Sequence, residues 1–132
     1  MSGPPYTGSC LCGQVRWRAT ARPGNVRVCH CRNCQRATGG PYFARAVFLA
    51  EHIERTGETT RWPTSERVDR LSCARCGTSV FAQPKDPPGR LSVALATLDD
   101  PAVLRPEMHI WVSEKLEWVS LDDRLPQFPK GA

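Results

Sequence analysis

The sequence predicts a mainly β domain that binds zinc and contains little helix. Short segments alternate apolar with polar residues, as half-buried strands do. Turns rich in Gly and Pro separate these segments, and seven cysteines fall into three tight clusters. The chain of 132 residues shows no internal repeat and no break in composition, so we expect a single domain.

The strand candidates follow one another along most of the chain. Residues 15–19 alternate apolar with charged side chains, and Val26 and Val28 continue the alternation toward the second cysteine cluster. Further candidates, rich in β-branched and aromatic residues, lie at 42–48, 68–71, 91–97 and 109–112. Turn sequences lie between them, at 22–24, 38–41, 61–63 and 86–89. The one helical element predicted is a short turn after Cys34 that Gly39 ends.

Charge and hydropathy argue against several classes of protein. No apolar run reaches the ~18 residues of a membrane-spanning helix, and residues 1–8 lack the basic and apolar regions of a secretory signal. An odd number of clustered thiols favours metal binding in a reducing cytoplasm over disulfides. The formal charge of +5 falls to +2 when seven thiolates hold two Zn²⁺ ions, and to +3 when only a four-thiolate site is filled. Because the basic residues are also scattered, neither nucleic acid nor a membrane is an expected partner.

The first and third cysteine clusters together predict a closed zinc site. Two residues separate Cys73 from Cys76, which lets the backbone turn so that both sulfurs face one ion. Cys10 and Cys12 are more closely spaced, and each pair is followed by a glycine that can adopt a positive φ. Four thiolates would make a structural site that joins the amino-terminal strand to the middle of the chain. The alternative is two pairs of buried free thiols.

The middle cluster predicts a second zinc site of a different kind. Cys29, Cys31 and Cys34 lie within six residues, with no fourth thiol nearby in the sequence. Zinc with three protein ligands keeps a position for water or substrate, and it can hold an incoming thiol as thiolate near neutral pH. The cluster therefore indicates chemistry at sulfur. Spacing leaves alternatives open: Cys10 and Cys12 could pair with Cys29 and Cys31, and the triplet could stay empty or be closed by a fourth side chain.

For the histidines, and for the arginines near the triplet, the sequence indicates a role less specifically than it does for the cysteines. His30 stands between two thiols, so we expect it beside the metal or facing substrate, not on the same zinc. His52 lies in a charged segment and is expected at the surface, whereas His109 is expected to be a hydrogen-bonded structural residue. Arg32 and Arg36 flank the triplet and either hold a substrate carboxylate or are solvated. No general acid or base is assigned.

Five segments of the chain resemble the signature of the glutathione-dependent formaldehyde-activating (GFA) family, which also includes relatives of centromere protein V. The segments occur in the family's order and are Gly8–Val15, Cys29–Gly39, Cys73–Thr78, Leu98–Pro101 and Pro106–Trp118. The resemblance implies one GFA-type domain at 6–120 with terminal extensions at 1–5 and 121–132, folded as several small, coiled antiparallel sheets. It also implies structural zinc on Cys10, Cys12, Cys73 and Cys76, and a second zinc on Cys29, Cys31 and Cys34.

The resemblance further implies an activity. The family joins formaldehyde reversibly to the glutathione thiol, giving S-hydroxymethylglutathione, and the reverse reaction is that of a carbon–sulfur lyase. We therefore expect a cytoplasmic, zinc-dependent lyase that acts on a thiol adduct, with a small thiol such as glutathione and an aldehyde as partners. A homodimer is compatible with these features. The alternative is a non-catalytic zinc module whose exposed face binds a protein or nucleic acid.

Overall fold

The computed structural model describes residues 3–131 and is mainly β, as predicted. The described residues form ten strands in two sheets. The smaller sheet is antiparallel, and its three strands in spatial order are β1 (Tyr6–Ser9), β2 (Arg16–Ala19) and β5 (Ile53–Thr56). The strand predicted at 15–19 is thus present as β2, whereas β1 and β5 had no strong signal in the sequence.

The larger sheet has seven strands. In spatial order they are β10 (Met108–Ile110), β3 (Asn25–Cys29), β4 (Phe43–Leu49), β9 (Arg90–Ala94), β8 (Ser79–Pro84), β7 (Val68–Cys73) and β6 (Thr59–Pro63). Neighbouring strands are antiparallel, apart from β10 and β3, which run parallel. The alternating segments predicted around Val26, at 42–48 and at 68–71 are present as β3, β4 and β7.

Two predicted strands end earlier than the sequence indicated. After β9, residues 95–97 turn into a 3-10 helix in which the Thr97 hydroxyl donates to the Ala94 carbonyl at 2.7 Å. After β10, Trp111 adopts the left-handed backbone conformation (φ 56°), and residues 112–114 form another 3-10 helix. A third 3-10 helix lies at 50–52. The chain therefore leaves the large sheet at both places.

The short helix predicted after Cys34 is present and begins slightly earlier. Helix α1 spans Arg32–Thr38, with Cys31 as its N-cap and Gly39 in the left-handed conformation (φ 72°) at its end. The Cys31 sulfur accepts a hydrogen bond from the Cys34 amide at 3.3 Å, which explains why the helix starts inside the cysteine triplet. Within the described residues, no helix is long and apolar enough to cross a membrane.

The main core lies between the two sheets. Phe48 of β4, 1% exposed, packs its ring 6.4 Å from the rings of both Tyr6 and Trp17 in the small sheet. Burying a side chain of this size contributes about 1.5–3 kcal/mol. A smaller apolar cluster, which includes Phe43 and Ile110, lies under the cysteine triplet. The two cysteine sites are thus placed at two different parts of the core.

Candidate metal centres and the cavity beside them

The structure brings Cys10, Cys12, Cys73 and Cys76 together. The four sulfurs lie within 4.8 Å of one another. Sγ of Cys12 is 3.6 Å from that of Cys10 and 3.7 Å from that of Cys73. Tetrahedral zinc with Zn–S bonds of about 2.3 Å places its sulfurs about 3.8 Å apart, whereas a disulfide needs about 2.05 Å. The spacing therefore fits four thiolates around one ion, and the cluster could hold a metal.

Two tight turns aim backbone amides at these sulfurs. The Val15 amide donates to Cys10 Sγ at 3.3 Å, and the Cys76 amide donates to Cys73 Sγ at 3.4 Å. Gly13 and Gly77, one residue after each pair, have φ of 82° and 80°, as the sequence predicted. The Thr78 hydroxyl, 3.1 Å from Cys76 Sγ, is the main cause that lowers the pKa of Cys76 to about 5. Such donors favour the thiolate form that a metal needs.

Cys29, Cys31 and Cys34 form a separate group. Their sulfurs also lie within 4.8 Å of one another, and they do not join the four-thiol cluster. Hydrogen bonds from the thiols of Cys29 and Cys34 lower the pKa of Cys31. The pKa of Cys29 is raised above its usual range, mainly by its hydrogen bonds with Cys31 and Cys34. All seven cysteines are free thiols. The structure thus brings together the two sets that the sequence predicted, and the cross-pairing alternative does not occur.

The triplet faces a cavity of about 410 Å³. Its chemically distinctive lining side chains, besides the three thiols, are those of Arg45, Arg67, Arg70, Trp111 and Glu114. Apart from the thiols, three cations and one carboxylate line the cavity. The positive φ of Trp111 is a strain of roughly 1–3 kcal/mol that is often found at functional sites, and here it directs the chain along the cavity wall.

Arg70 is the cavity residue in closest contact with the thiols. It is 5% exposed, its Nη2 donates to Cys34 Sγ at 2.8 Å, and its guanidinium lies 5.0 Å from the centre of the Phe43 ring. The strands β7 and β4, which carry Arg70 and Phe43, are three positions apart in the sheet. That separation is about 14 Å in a flat sheet. The long Arg70 side chain spans much of this separation, which is how a residue of β7 reaches the triplet.

Behind the triplet, two histidines and an aspartate form a hydrogen-bonded chain. His30 Nε2 is 2.9 Å from His109 Nδ1, and His109 Nε2 is 2.7 Å from Asp123 Oδ2. A carboxylate can only accept here, so the network assigns a donated proton to His109 Nε2 and another to His30 Nε2. Burial, with the neighbouring His109 as a further cause, lowers the pKa of His30 to about 4. The His30 ring is thus neutral near pH 7.

The other candidate side chains lie outside the cavity. His109 is buried and hydrogen-bonded, as the sequence predicted, and His52 is partly exposed in the 3-10 helix at 50–52. The Arg32 side chain donates to Gln35 Oε1, and Arg36 lies in a shallow neighbouring depression with Trp62. Sequence reasoning missed Arg45, Arg67 and Arg70. For Arg70 one signal existed, since it shares a strand face with the apolar Val68.

Comparison with known proteins gives consistent results. The model of the family described as glutathione-dependent formaldehyde-activating enzyme matches residues 5–114. A Halomonas elongata protein, provisionally named as a glutathione-dependent formaldehyde-activating enzyme, is 27% identical over 89% of this chain and 81% of its own length. An uncharacterized lyase of Schizosaccharomyces pombe is 24% identical over 59% of this chain. The chain spans only 57% of the length of that lyase.

A solved structure supports the fold. The crystal structure of a Rhodobacter sphaeroides protein superposes with a TM-score of 0.60, at 23% identity, over 76% of this chain and 91% of that chain. The match to the family model covers most of the sequence, from the strand before the first cysteine pair to the turn after β10. The chain belongs to the family of glutathione-dependent formaldehyde-activating enzymes.

Proposed function

We propose that the protein is a zinc-dependent enzyme of the carbon–sulfur lyase type, which joins an aldehyde reversibly to a small thiol. Formaldehyde and glutathione are the substrates that the family's name favours. The observation that carries the proposal is the cysteine triplet, whose three sulfurs lie within 4.8 Å of one another and face a cavity of about 410 Å³. Three ligands beside open space fit a metal with a position for substrate, unlike the four-thiol cluster.

The proposed reaction is an addition to a carbonyl group. The thiol sulfur forms a bond to the aldehyde carbon and loses its proton, and the carbonyl oxygen gains a proton, so that glutathione and formaldehyde give S-hydroxymethylglutathione. Zinc bound by Cys29, Cys31 and Cys34 would supply a Lewis acid that keeps the incoming sulfur in its thiolate form near neutral pH. Hydrogen bonds from the Cys34 amide to Cys31 and from Arg70 to Cys34 orient two of the three ligands.

The charge of the cavity supports an anionic thiol as substrate. Arg45 and Arg67 line the cavity and take part in none of the ion pairs found among residues 3–131. Their guanidinium groups can pair with substrate carboxylates, and glutathione carries two. Trp111 provides an apolar wall beside them. We assign these residues to substrate binding and orientation.

The seven free thiols also support a reducing compartment, and we propose the cytoplasm. The four-thiol cluster would hold a structural zinc, with Cys10, Cys12, Cys73 and Cys76 as ligands. The proposed catalytic domain spans 6–120. A homodimer is compatible with this mechanism, in which every residue named above comes from one chain.

Zinc stoichiometry combined with an activity measurement tests the proposal. The protein is purified without added metal, as wild type, Cys31→Ser and Cys73→Ser, and its acceleration of the exchange between glutathione and formaldehyde is followed by NMR. We expect two zinc ions in the wild type, and one in a folded Cys31→Ser protein that no longer exceeds the uncatalysed rate. One zinc in the wild type, unaffected by Cys31→Ser and lost with the fold in Cys73→Ser, would instead indicate a non-catalytic zinc module.

A further inference from the structure

Arg70 has an unusual environment for an arginine. It is 95% buried, and its Nε and Nη1 atoms are inaccessible and have no hydrogen-bond partner among residues 3–131. None of the ion pairs formed within that range includes Arg70. A guanidinium stays charged in proteins, and burying it is unfavourable unless an opposite charge lies beside it. The structure must therefore supply a negative charge close to Arg70.

The Cys34 sulfur is the group that can supply this charge. Arg70 Nη2 is 2.8 Å from Cys34 Sγ, whereas the backbone amides that donate to sulfur in the two clusters are 3.3–3.4 Å away. Three thiolates and one Zn²⁺ ion carry a net charge of −1. Adding Arg70 makes the buried assembly neutral. The four-thiol cluster, in contrast, has hydrogen bonds from backbone amides and from Thr78 but none from an arginine within the described chain.

We propose that Arg70 is the positioning residue of the metal at the cysteine triplet: it neutralises three buried thiolates with their divalent ion, and it fixes the direction of the Cys34 sulfur. The inference rests on the proposed function, because it requires a metal at the triplet. Arg70 differs in this role from Arg45 and Arg67. The donors of Arg70 that are not bonded to Cys34 are closed off from solvent, so substrate does not reach them in this structure.

The test measures how tightly each zinc is held. Zinc-loaded wild type, Arg70→Met, Arg70→Gln and Arg70→Lys are titrated with a chromogenic chelator, and the triplet zinc is identified as the one absent from Cys31→Ser. Arg55→Met is the matched control, because Arg55 also stacks on a phenylalanine, 5.3 Å from the centre of the Phe81 ring, without contacting a thiol. In every variant, zinc retained at the four-thiol cluster shows that the protein is folded.

We expect Arg70→Met and Arg70→Gln to bind the triplet zinc about 10–100-fold more weakly, with the four-thiol zinc unchanged. Arg70→Lys keeps the charge but loses the planar guanidinium, so it should lose less affinity than the neutral variants. In cobalt-substituted protein, the neutral variants should also shift the sulfur-to-metal absorption of the triplet, because a hydrogen bond to one sulfur is removed. Arg55→Met should change neither affinity nor absorption.

Three results would overturn the inference. In the first, the neutral variants bind the triplet zinc within about twofold of the wild-type affinity. In the second, the variants lose zinc affinity equally at both sites. In the third, Arg70→Lys binds the triplet zinc as weakly as the neutral variants. Each of these leaves the proposed function standing, because the wild type still holds its second metal. A wild-type protein that binds a single zinc would contradict the proposed function itself, and the role of Arg70 with it.

Discussion

The arginines around the triplet divide by burial. Arg70 is enclosed and hydrogen-bonded to a thiol, whereas Arg67 is exposed and lines the same cavity. An enclosed charge acts on the groups fixed beside it, and an exposed charge can pair with a ligand that enters from solvent. The two arginines can therefore serve different tasks within one cavity, and substitutions at the two positions should have different kinetic effects.

Arg67→Met should weaken the binding of a thiol that carries carboxylates. A partly exposed ion pair is worth up to about 1 kcal/mol, so KM for glutathione should rise about fivefold while kcat changes little. KM for 2-mercaptoethanol, which has no carboxylate, should stay the same. Arg36→Met is the matched control, since Arg36 lies outside the cavity lining. An equal rise of KM for both thiols would show that Arg67 does not recognise a carboxylate.

At the scale of the elements, the carboxyl-terminal segment, residues 123–130, is hydrogen-bonded to β10 and the residue after it. The Trp111 amide donates to the Lys130 carbonyl at 3.0 Å, and the Phe128 amide donates to the His109 carbonyl at 2.9 Å. The side chain of Asp123 accepts from His109, which in turn contacts His30 between the triplet ligands. Residues 123–130 thus form a hydrogen-bonded extension of the large sheet, and they help to hold His30 in place behind the thiols.

Asp123→Asn should destabilise this arrangement in a pH-dependent way. The hydrogen bond from His109 is the main cause that lowers the pKa of Asp123 below its ordinary value. A lowered carboxyl pKa in the folded state means that the stabilisation is present above the unfolded pKa of about 3.9 and is lost as the pH falls through the folded value. The difference in the free energy of unfolding between wild type and Asp123→Asn should therefore be constant near pH 7 and vanish under acid conditions.

Urea unfolding at a series of pH values measures that difference. Asp122→Asn is the control, because the neighbouring carboxylate makes no hydrogen bond or ion pair with the described residues. If the effect of Asp123→Asn persisted unchanged below pH 3, or if Asp122→Asn had the same effect, the bond between Asp123 and His109 would not be the source of the stabilisation.

An element could be predicted from the sequence where the residues that determine it are neighbours in the chain. Strands β2, β3 and β4 carry their burial pattern in their own alternation, and α1 carries its end signal in Gly39. β6, with four of its five residues exposed, has no apolar face to detect. The parallel pairing of β10 with β3 joins residues about 80 positions apart, so the contact between His30 and His109 could not be deduced from neighbours in the sequence. The contact between Arg70 and Cys34, which are 36 positions apart, could not be deduced in that way either.

At the scale of the whole molecule, the four-thiol cluster connects the two sheets. Cys10 and Cys12 lie between β1 and β2 of the small sheet, whereas Cys73 is the last residue of β7 in the large sheet and Cys76 lies in the turn before β8. The sequence predicted this grouping because the two pairs together supply four thiolates, but spacing left open that Cys10 and Cys12 pair with Cys29 and Cys31. The triplet, in contrast, has all three thiols within six residues, from the end of β3 at Cys29 to Cys34 in α1. The two sites should therefore contribute very differently to stability.

Removing zinc from the four-thiol cluster should unfold the whole domain. Structural zinc sites in small peptides contribute about 10–16 kcal/mol near pH 7, which is as large as the entire stability of a typical domain, about 5–15 kcal/mol. A strong chelator should therefore abolish the cooperative thermal transition of the wild type, followed by circular dichroism. Cys31→Ser, which alters only the local triplet, should melt cooperatively without chelator. It should lose this transition at the same chelator concentration as the wild type, because both proteins keep the four-thiol zinc. A cooperative transition that survives complete zinc removal would mean that the contacts between Phe48, Tyr6 and Trp17 hold the sheets together by themselves.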